Sequence, residues 1–249
     1  MLTYERQAEI LKLLKEEKCV TVDFLCGQLF ASGATIRRDL DEMSKKGLIT
    51  RIRGGAICFQ GSGEDAPLLL REKEEIDKKR RIAFLALEFI ENSKTYFLDS
   101  SSTVTELAPH FAQHNAVSVV TNGIRTANVL NEKTAVNLYL CGGKVISHSS
   151  LVGNCANELI SNFNADVCFF SCCGVTSAGT NEAKEENAIL KKKMIENSKL
   201  HILLCDSTKF DKDFFWKAVS CEKIDYIITD KKPEKTFLNA VNENTKIIY

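Results

Sequence analysis

The chain has 249 residues, 33 Lys plus Arg against 33 Asp plus Glu, and 44% hydrophobic residues. That is enough for one large domain or two smaller ones with a real core, and a formal charge of zero excludes a uniformly basic polyelectrolyte binder. No apolar run approaches the roughly 20 residues a membrane span needs, and the polar N-terminus has no secretory pattern, so no membrane partner and a cytoplasmic location are expected.

From Thr3 a first helix is expected to about Glu16, capped by Thr3, with Ile10, Leu11 and Leu14 inward. Cys19 and Val20 lead to Thr21, which is placed to cap a second helix from Val22 to Leu29, and Phe30-Ala31 form the turn after it. Ser32 then caps a third helix. In it Ile36, Leu40 and Met43 recur at four and three, the spacing of one buried face, which leaves Arg37, Arg38 and Asp41 outward. Lys45 and Lys46 suit the negative helix end, and Gly47 stops it. Three helices with a tight turn before the third form a helix-turn-helix. Leu48–Arg53 and Ala56–Phe59 flank Gly54-Gly55 and are expected to form a hairpin.

Between Ser32 and Ile57 six cations (Arg37, Arg38, Lys45, Lys46, Arg51, Arg53) face three acids (Asp39, Asp41, Glu42). A local basic patch on a neutral chain fits a small DNA-reading module joined to something else. Arg on an exposed helix face can pair with a guanine edge, and cations on a hairpin hold backbone phosphates. The candidate contacts to double-stranded DNA are Thr35, Arg37, Arg38, Lys45, Arg51 and Arg53. Asp39, beside two arginines, is expected to brace an arginine or the hairpin.

Residues 60–67 are rich in Gly, Ser and acids and end in Pro67, a boundary signal. The expected division is a reading head at 1–59, a linker at 60–70 and a second domain at 71–249. A helix from Leu70 to Glu91 follows, its charge run from Arg71 to Arg81 read as a solvated face and Ile82, Leu85 and Phe89 as the docking stripe.

Short apolar runs then alternate with helices. The runs are 95–98, 117–120, 136–140, 167–170, 202–204 and 226–228; the helices are 106–111, 125–130, 157–163 and 187–198. This pattern implies an α/β domain whose mostly parallel sheet is covered by helices on both faces. Each strand ends in small polar residues: Asp99 to Thr103, Thr121-Asn122-Gly123, Gly142-Gly143-Lys144, Ser171 to Gly174, and Asp206 to Lys209. The C-terminal strand edge of an open α/β sheet is its ligand crevice. Serine-rich loops entering a helix favour an anion, with Lys144 and Lys209 adding charge. Asp99, Glu182 and Asp206 accept hydrogen bonds from hydroxyls. Together they suit a phosphorylated sugar or polyol.

Ten cysteines contain no Cys-x-x-Cys pair; Cys168, Cys172 and Cys173 read as buried free thiols. No cofactor and no metal site is expected.

Arg6, Ile10, Leu14, then Ser32-x-x-Thr35-Ile36-Arg37-Arg38-Asp39-Leu40, then Gly47-Leu48-Ile49-x-Arg51-x-Arg53-Gly54-Gly55-Ala56 resemble the winged helix-turn-helix of the DeoR family of bacterial transcription regulators. Ala31 and Arg53 stand where the family usually has valine and histidine. The resemblance continues through Leu98-Asp99-Ser100-x-Ser102-Thr103, Thr121-Asn122-Gly123, Gly142-Gly143, Gly153, Asp166, Gly174-Val175, Gly179-Thr180, Asp206-Ser207-x-Lys209-Phe210 and Ile224-Asp225-x-Ile227-x-Thr229-Asp230, which are similar to the family's sugar-phosphate sensor domain. It implies a sensor fold similar to ribose-phosphate isomerases and CoA-transferases. It also implies Asp99, Ser102, Thr103, Asn122, Gly142, Gly143, Gly174, Glu182, Asp206 and Lys209 around the effector. Ser101 replaces a usual glycine in the phosphate loop, where its Cβ would crowd the phosphate or reshape the loop. The implied function is a sugar- or polyol-operon repressor, a homo-oligomer (dimer or tetramer), and not an enzyme. The alternatives are a sugar-phosphate isomerase using Glu182 or Glu185 as base, and a sensor built on the cysteines.

Overall fold

The structure, a computed structural model, describes residues 2–17, 19–46, 48–52, 54–58, 75–147 and 149–249. Gly47, Arg53, the linker at 60–70 and the start of the charged helix at 70–74 lie outside the described residues. The chain divides into two compact units, Met1–Leu70 and Arg71–Tyr249.

In the first unit α1 is Thr3–Glu17. Thr3 is not its cap. It lies in the first turn, where its hydroxyl accepts from Arg6 at 3.4 Å, and Glu5 takes the Leu2 N–H at 2.9 Å. A three-residue strand β1, Cys19–Thr21, precedes α2, Val22–Leu29. Thr21 Oγ1 caps α2 by accepting from Phe24 N at 3.1 Å, and Ser32 Oγ caps α3, Gly33–Lys45, by accepting from Thr35 N at 3.2 Å. β2 (Ile49–Ile52) and β3 (Gly55–Cys58) form the expected hairpin. β1 adds a strand that local pattern does not announce: the sheet order is β1-β3-β2, with Cys19 opposite Ile57. Ile10, Leu14, Leu25, Ile36, Leu40 and Met43 are wholly buried as one cluster, so each helix contributes the stripe its spacing predicts.

The second unit opens with α4, Ile76–Leu85, and a 3-10 turn at Ala86–Phe89. The charge run is not wholly solvated: Lys79 is buried beside Ile82 and Ala83. There follow β4 (Thr95–Leu98), α5 (Ser102–Leu107), β5 (Ser118–Thr121), α6 (Ile124–Lys133), β6 (Asn137–Leu140), β7 (Lys144–Ile146) and β8 (Ser150–Val152). Next come α7 (Asn154–Ser161), β9 (Ala165–Phe170), β10 (Gly174–Thr176), β11 (Gly179–Glu182), α8 (Glu185–Glu196) and β12 (Ser198–Leu204). The unit closes with β13 (Trp216–Ser220), β14 (Tyr226–Ile228), α9 (Lys235–Ala240) and β15 (Lys246–Ile248).

Seven parallel strands run in the order β15-β14-β12-β9-β4-β5-β6. β15 was not among the expected apolar runs. The central strands are apolar on consecutive residues because they are covered twice. Tyr96, Leu98, Phe169, Ile202 and Leu204 pack with α4, α5 and α6 residues such as Ile82, Leu107 and Leu130. Phe97, Cys168, Phe170 and Leu203 pack with Ile160, Met194 and Phe237 of α7, α8 and α9. Two small antiparallel sheets, β7-β8 and β10-β11-β13, interrupt the alternation. No helix among the described residues is long and apolar enough to cross a membrane.

Asp166 fastens the N-terminal edge of this sheet. It accepts from Lys199 at 2.9 Å, from Thr95 N at 3.0 Å and from Thr95 Oγ1 at 2.9 Å. The Lys199 contact and then the Thr95 bonds hold its carboxyl down at about 2. A depressed carboxylate stabilises above its unfolded pKa of about 3.9 and loses that contribution as pH falls through the folded value. Asp166→Asn is therefore expected to cost about 1 kcal/mol at neutral pH, since the exposed Lys199 partner is screened. Urea titrations should show that gap closing between pH 4 and 2.

Candidate functional site

Arg37, Arg38 and Lys45 are exposed on α3, opposite its buried stripe, and Thr35 is half-buried with its hydroxyl 2.9 Å from Ser32 Oγ. Arg51 departs from expectation. It is half-buried, pairs with Asp41 at 3.1 Å and donates to Gly55 O at 3.2 Å, so it ties the hairpin to α3. Asp39 braces an arginine, but from α1: it is buried and takes both Nε and Nη2 of Arg6, the second at 3.2 Å. This bidentate pair keeps the guanidinium of Arg6 firmly protonated and points the acid away from the exposed arginines. The exposed face of α3 therefore presents Arg37, Arg38 and Lys45, with Glu42 paired to Lys46.

In the second unit the C-terminal ends of β4, β5, β9 and β12 carry a buried polar cluster. Asp99 is 1% exposed. Its oxygens accept from Ser101 N and Ser171 N, both at 2.9 Å, and Lys191 of α8 lies 3.3 Å away. Lys191 also pairs with Glu182 and donates to Ser171 O at 2.7 Å. Burial opposes the Lys191 ammonium, but Glu182 and Asp99 more than compensate and its pKa is raised. Lys209 donates to Ser171 Oγ at 3.2 Å and Cys172 O at 2.8 Å. Asp206 takes the N–H and hydroxyl of Thr208. Burial opposes its ionisation, yet Lys209, Thr208 and Lys79 hold its carboxyl below the usual range.

Asp99, Glu182 and Asp206 are buried and brace loops and lysines inside the fold. Glu185 is exposed at the start of α8, and Glu182, tied to Lys191, is not poised as a base. Gly143 and Gly174 serve close approach, but to the chain itself: a Cβ there would meet Val152 O at 2.4 Å and Lys212 O at 2.2 Å. Gly142 and Lys144 are exposed, Lys144 facing Glu186 at 3.6 Å. Ser101 has φ −75, ψ 149 and caps α5 by accepting from Val104 N. Its Cβ forces no unusual loop shape. Sequence reasoning missed Lys79 and Lys191, the buried cations.

The hydroxyl side of the cluster is less committed. Ser100 Oγ lies 2.6 Å from Ser150 Oγ, and Asn122 Nδ2 donates to Leu151 O. Ser102 and Thr103 are buried beside them. Thr103 Oγ1 and Asn122 Oδ1 are buried with no hydrogen-bond partner among the described residues. Burying such an atom unpaired costs about 1–3 kcal/mol, so these atoms mark where a polar ligand gains most. The nine cysteines whose side chains are described are all free, and burial pushes the Cys141 thiol up to about 11.

A family model described as the DeoR C terminal sensor domain matches residues 74–231, and one described as the DeoR-like helix-turn-helix domain matches residues 6–60. The chain belongs to the DeoR family. It is a DNA-binding regulator of transcription and not an enzyme. This DeoR-family chain is 33% identical to the HTH-type transcriptional repressor GlcR of Bacillus subtilis, over 96% of its own length and 93% of the relative's. It is 29% identical to the glycerol-3-phosphate regulon repressor of Escherichia coli, over 96% of each. Among solved structures it is similar to a D-ribose-5-phosphate isomerase in complex with phospho-erythronic acid, at TM-score 0.42 and 15% identity over 54% of each chain.

Proposed function

We propose that this regulator represses a sugar or polyol operon in the cytoplasm, and that a phosphorylated sugar or polyol bound at the C-terminal ends of β4, β5, β9 and β12 releases it. The observation that carries the reading is the buried cluster itself. Lys79, Lys191 and Lys209 balance Asp99, Glu182 and Asp206, while Thr103 and Asn122 each hold a polar atom without a partner among the described residues. A phosphate gives such lysines a further anion, and ligand hydroxyls satisfy the two orphaned atoms. The relative named for a glycerol-3-phosphate regulon supports the same ligand class. The working units are a head at 1–59, a linker at 60–70 and a sensor at 71–249. Two heads in a homo-oligomer read half-sites about 34 Å apart. The effector acts by binding the released arrangement more tightly than the DNA-bound one.

The test is thermal unfolding of the full chain against a panel of phosphorylated sugars and polyols, each beside its unphosphorylated counterpart. At a hundredfold excess over Kd a ligand stabilises by about 2.7 kcal/mol, on the order of 5–10 °C for a domain of this size. One phosphorylated compound should give that shift and its unphosphorylated form should not. Equal shifts, or none across the panel, would contradict the reading.

A further inference from the structure

Phe30 ends α2 in the left-handed region, at φ 50 and ψ 42, and is 97% exposed. Both features are unfavourable. The left-handed conformation crowds any Cβ against the following carbonyl, and glycine or asparagine ends a helix there more easily. A fully exposed aromatic ring gives up the burial that makes aromatics useful to a fold. The head's core of Ile10, Leu14, Leu25, Ile36, Leu40 and Met43 closes without it. A strained backbone carrying an unburied ring is an outlier of the kind that collects at working surfaces.

Its position says which surface. Ser32, two residues on, caps α3, and the arginines on the exposed face of that helix, Arg37 and Arg38, follow shortly after it. In a helix-turn-helix the N-terminal residues of this helix meet base edges in the major groove. The apolar group displayed there is the thymine methyl, which an aromatic ring can cover. We infer that Phe30 is a specificity-determining DNA contact, its ring packing on a thymine methyl beside the bases read by α3. The inference rests on DNA binding by the head and is independent of the effector.

The test uses the full chain and a duplex enriched by the parent protein from a random-sequence pool. Each thymine of the enriched half-site is replaced in turn by deoxyuridine, which removes only the methyl, and Kd is read by fluorescence anisotropy at fixed salt. The parent should lose about tenfold at one position, the size of a single lost base contact. Phe30→Ala should bind the unmodified duplex about tenfold more weakly and be indifferent to that replacement. Phe30→Gly should bind as Phe30→Ala does while unfolding at no lower temperature than the parent, which separates contact from stability. Three results would overturn the proposal: Phe30→Ala binding like the parent, a loss that is the same at every thymine, or unchanged affinity with an altered mass in light scattering, which would place the ring against protein. Failure of the parent to enrich any duplex would remove the premise and the proposal with it.

Discussion

Asp39→Ala is expected to cost the reading head about 3 kcal/mol, the lower end of what breaking a buried ion pair costs. Asp39 is 2% exposed and accepts from two nitrogens of Arg6. The alanine takes the carboxylate away from a largely buried guanidinium. A unit of about 70 residues has a total stability of only roughly 4–10 kcal/mol, so much of the head should unfold at physiological temperature, and calorimetry should show its transition moved down. Operator affinity should fall with it, although Asp39 is buried inside the head. Arg38→Ala should do the reverse: weaken DNA binding and leave the transition in place, because Arg38 is exposed. The double variant Arg6→Met with Asp39→Leu should recover most of the lost stability, since matched apolar residues can replace a buried pair. If Asp39→Ala unfolds like the parent, the pair does not brace the head.

Lys191→Met is expected to have the larger effect on the sensor, about 3–5 kcal/mol. Lys191 serves two carboxylates at once, Asp99 and Glu182, each 2% exposed. Removing it takes from both buried carboxylates the cation they share. Glu182→Gln should cost less, because Lys191 keeps Asp99 and Ser171 O as partners. The chain has a single tryptophan, Trp216 on β13, so its fluorescence in a urea titration follows the sensor alone. A midpoint for Lys191→Met no lower than that for Glu182→Gln would contradict the bracing role.

The helices of the head were legible because spacing and caps agree. Ile36, Leu40 and Met43 mark the buried face, and Thr21 and Ser32 accept the N–H bonds their positions imply. The central strands were legible because cover on both faces makes their C-terminal halves continuous apolar runs, as at 96–98, 167–170 and 202–204. What escaped depends on contacts far apart in sequence. β1 is three residues long and exists only by pairing with β3, and the strands of the two small sheets are only 3 to 5 residues long. The buried lysines hid in charge runs. Lys79 stands among Lys78, Arg80 and Arg81, and Lys191 before Lys192 and Lys193. The signal was present: Lys79 shares a stripe with Ile82 and Ala83, and Lys191 with Asn187, Ala188, Met194 and Ile195. A cation on an apolar stripe is buried with a partner or not at all. Of the partners of Lys191, Glu182 ends the strand just before α8, whereas Asp99, after β4, is far off in sequence, so no local pattern brings the two acids to one lysine.

The account depends on occupancy of the sensor governing the head. The most direct measurement is the affinity of the full chain for its operator, by anisotropy, with and without a saturating phosphorylated sugar taken from the unfolding panel. Operator Kd should rise by about 5- to 150-fold, and the sugar phosphate should bind the operator complex more weakly by the same factor. Equal affinity of that ligand for free and operator-bound protein would contradict the account.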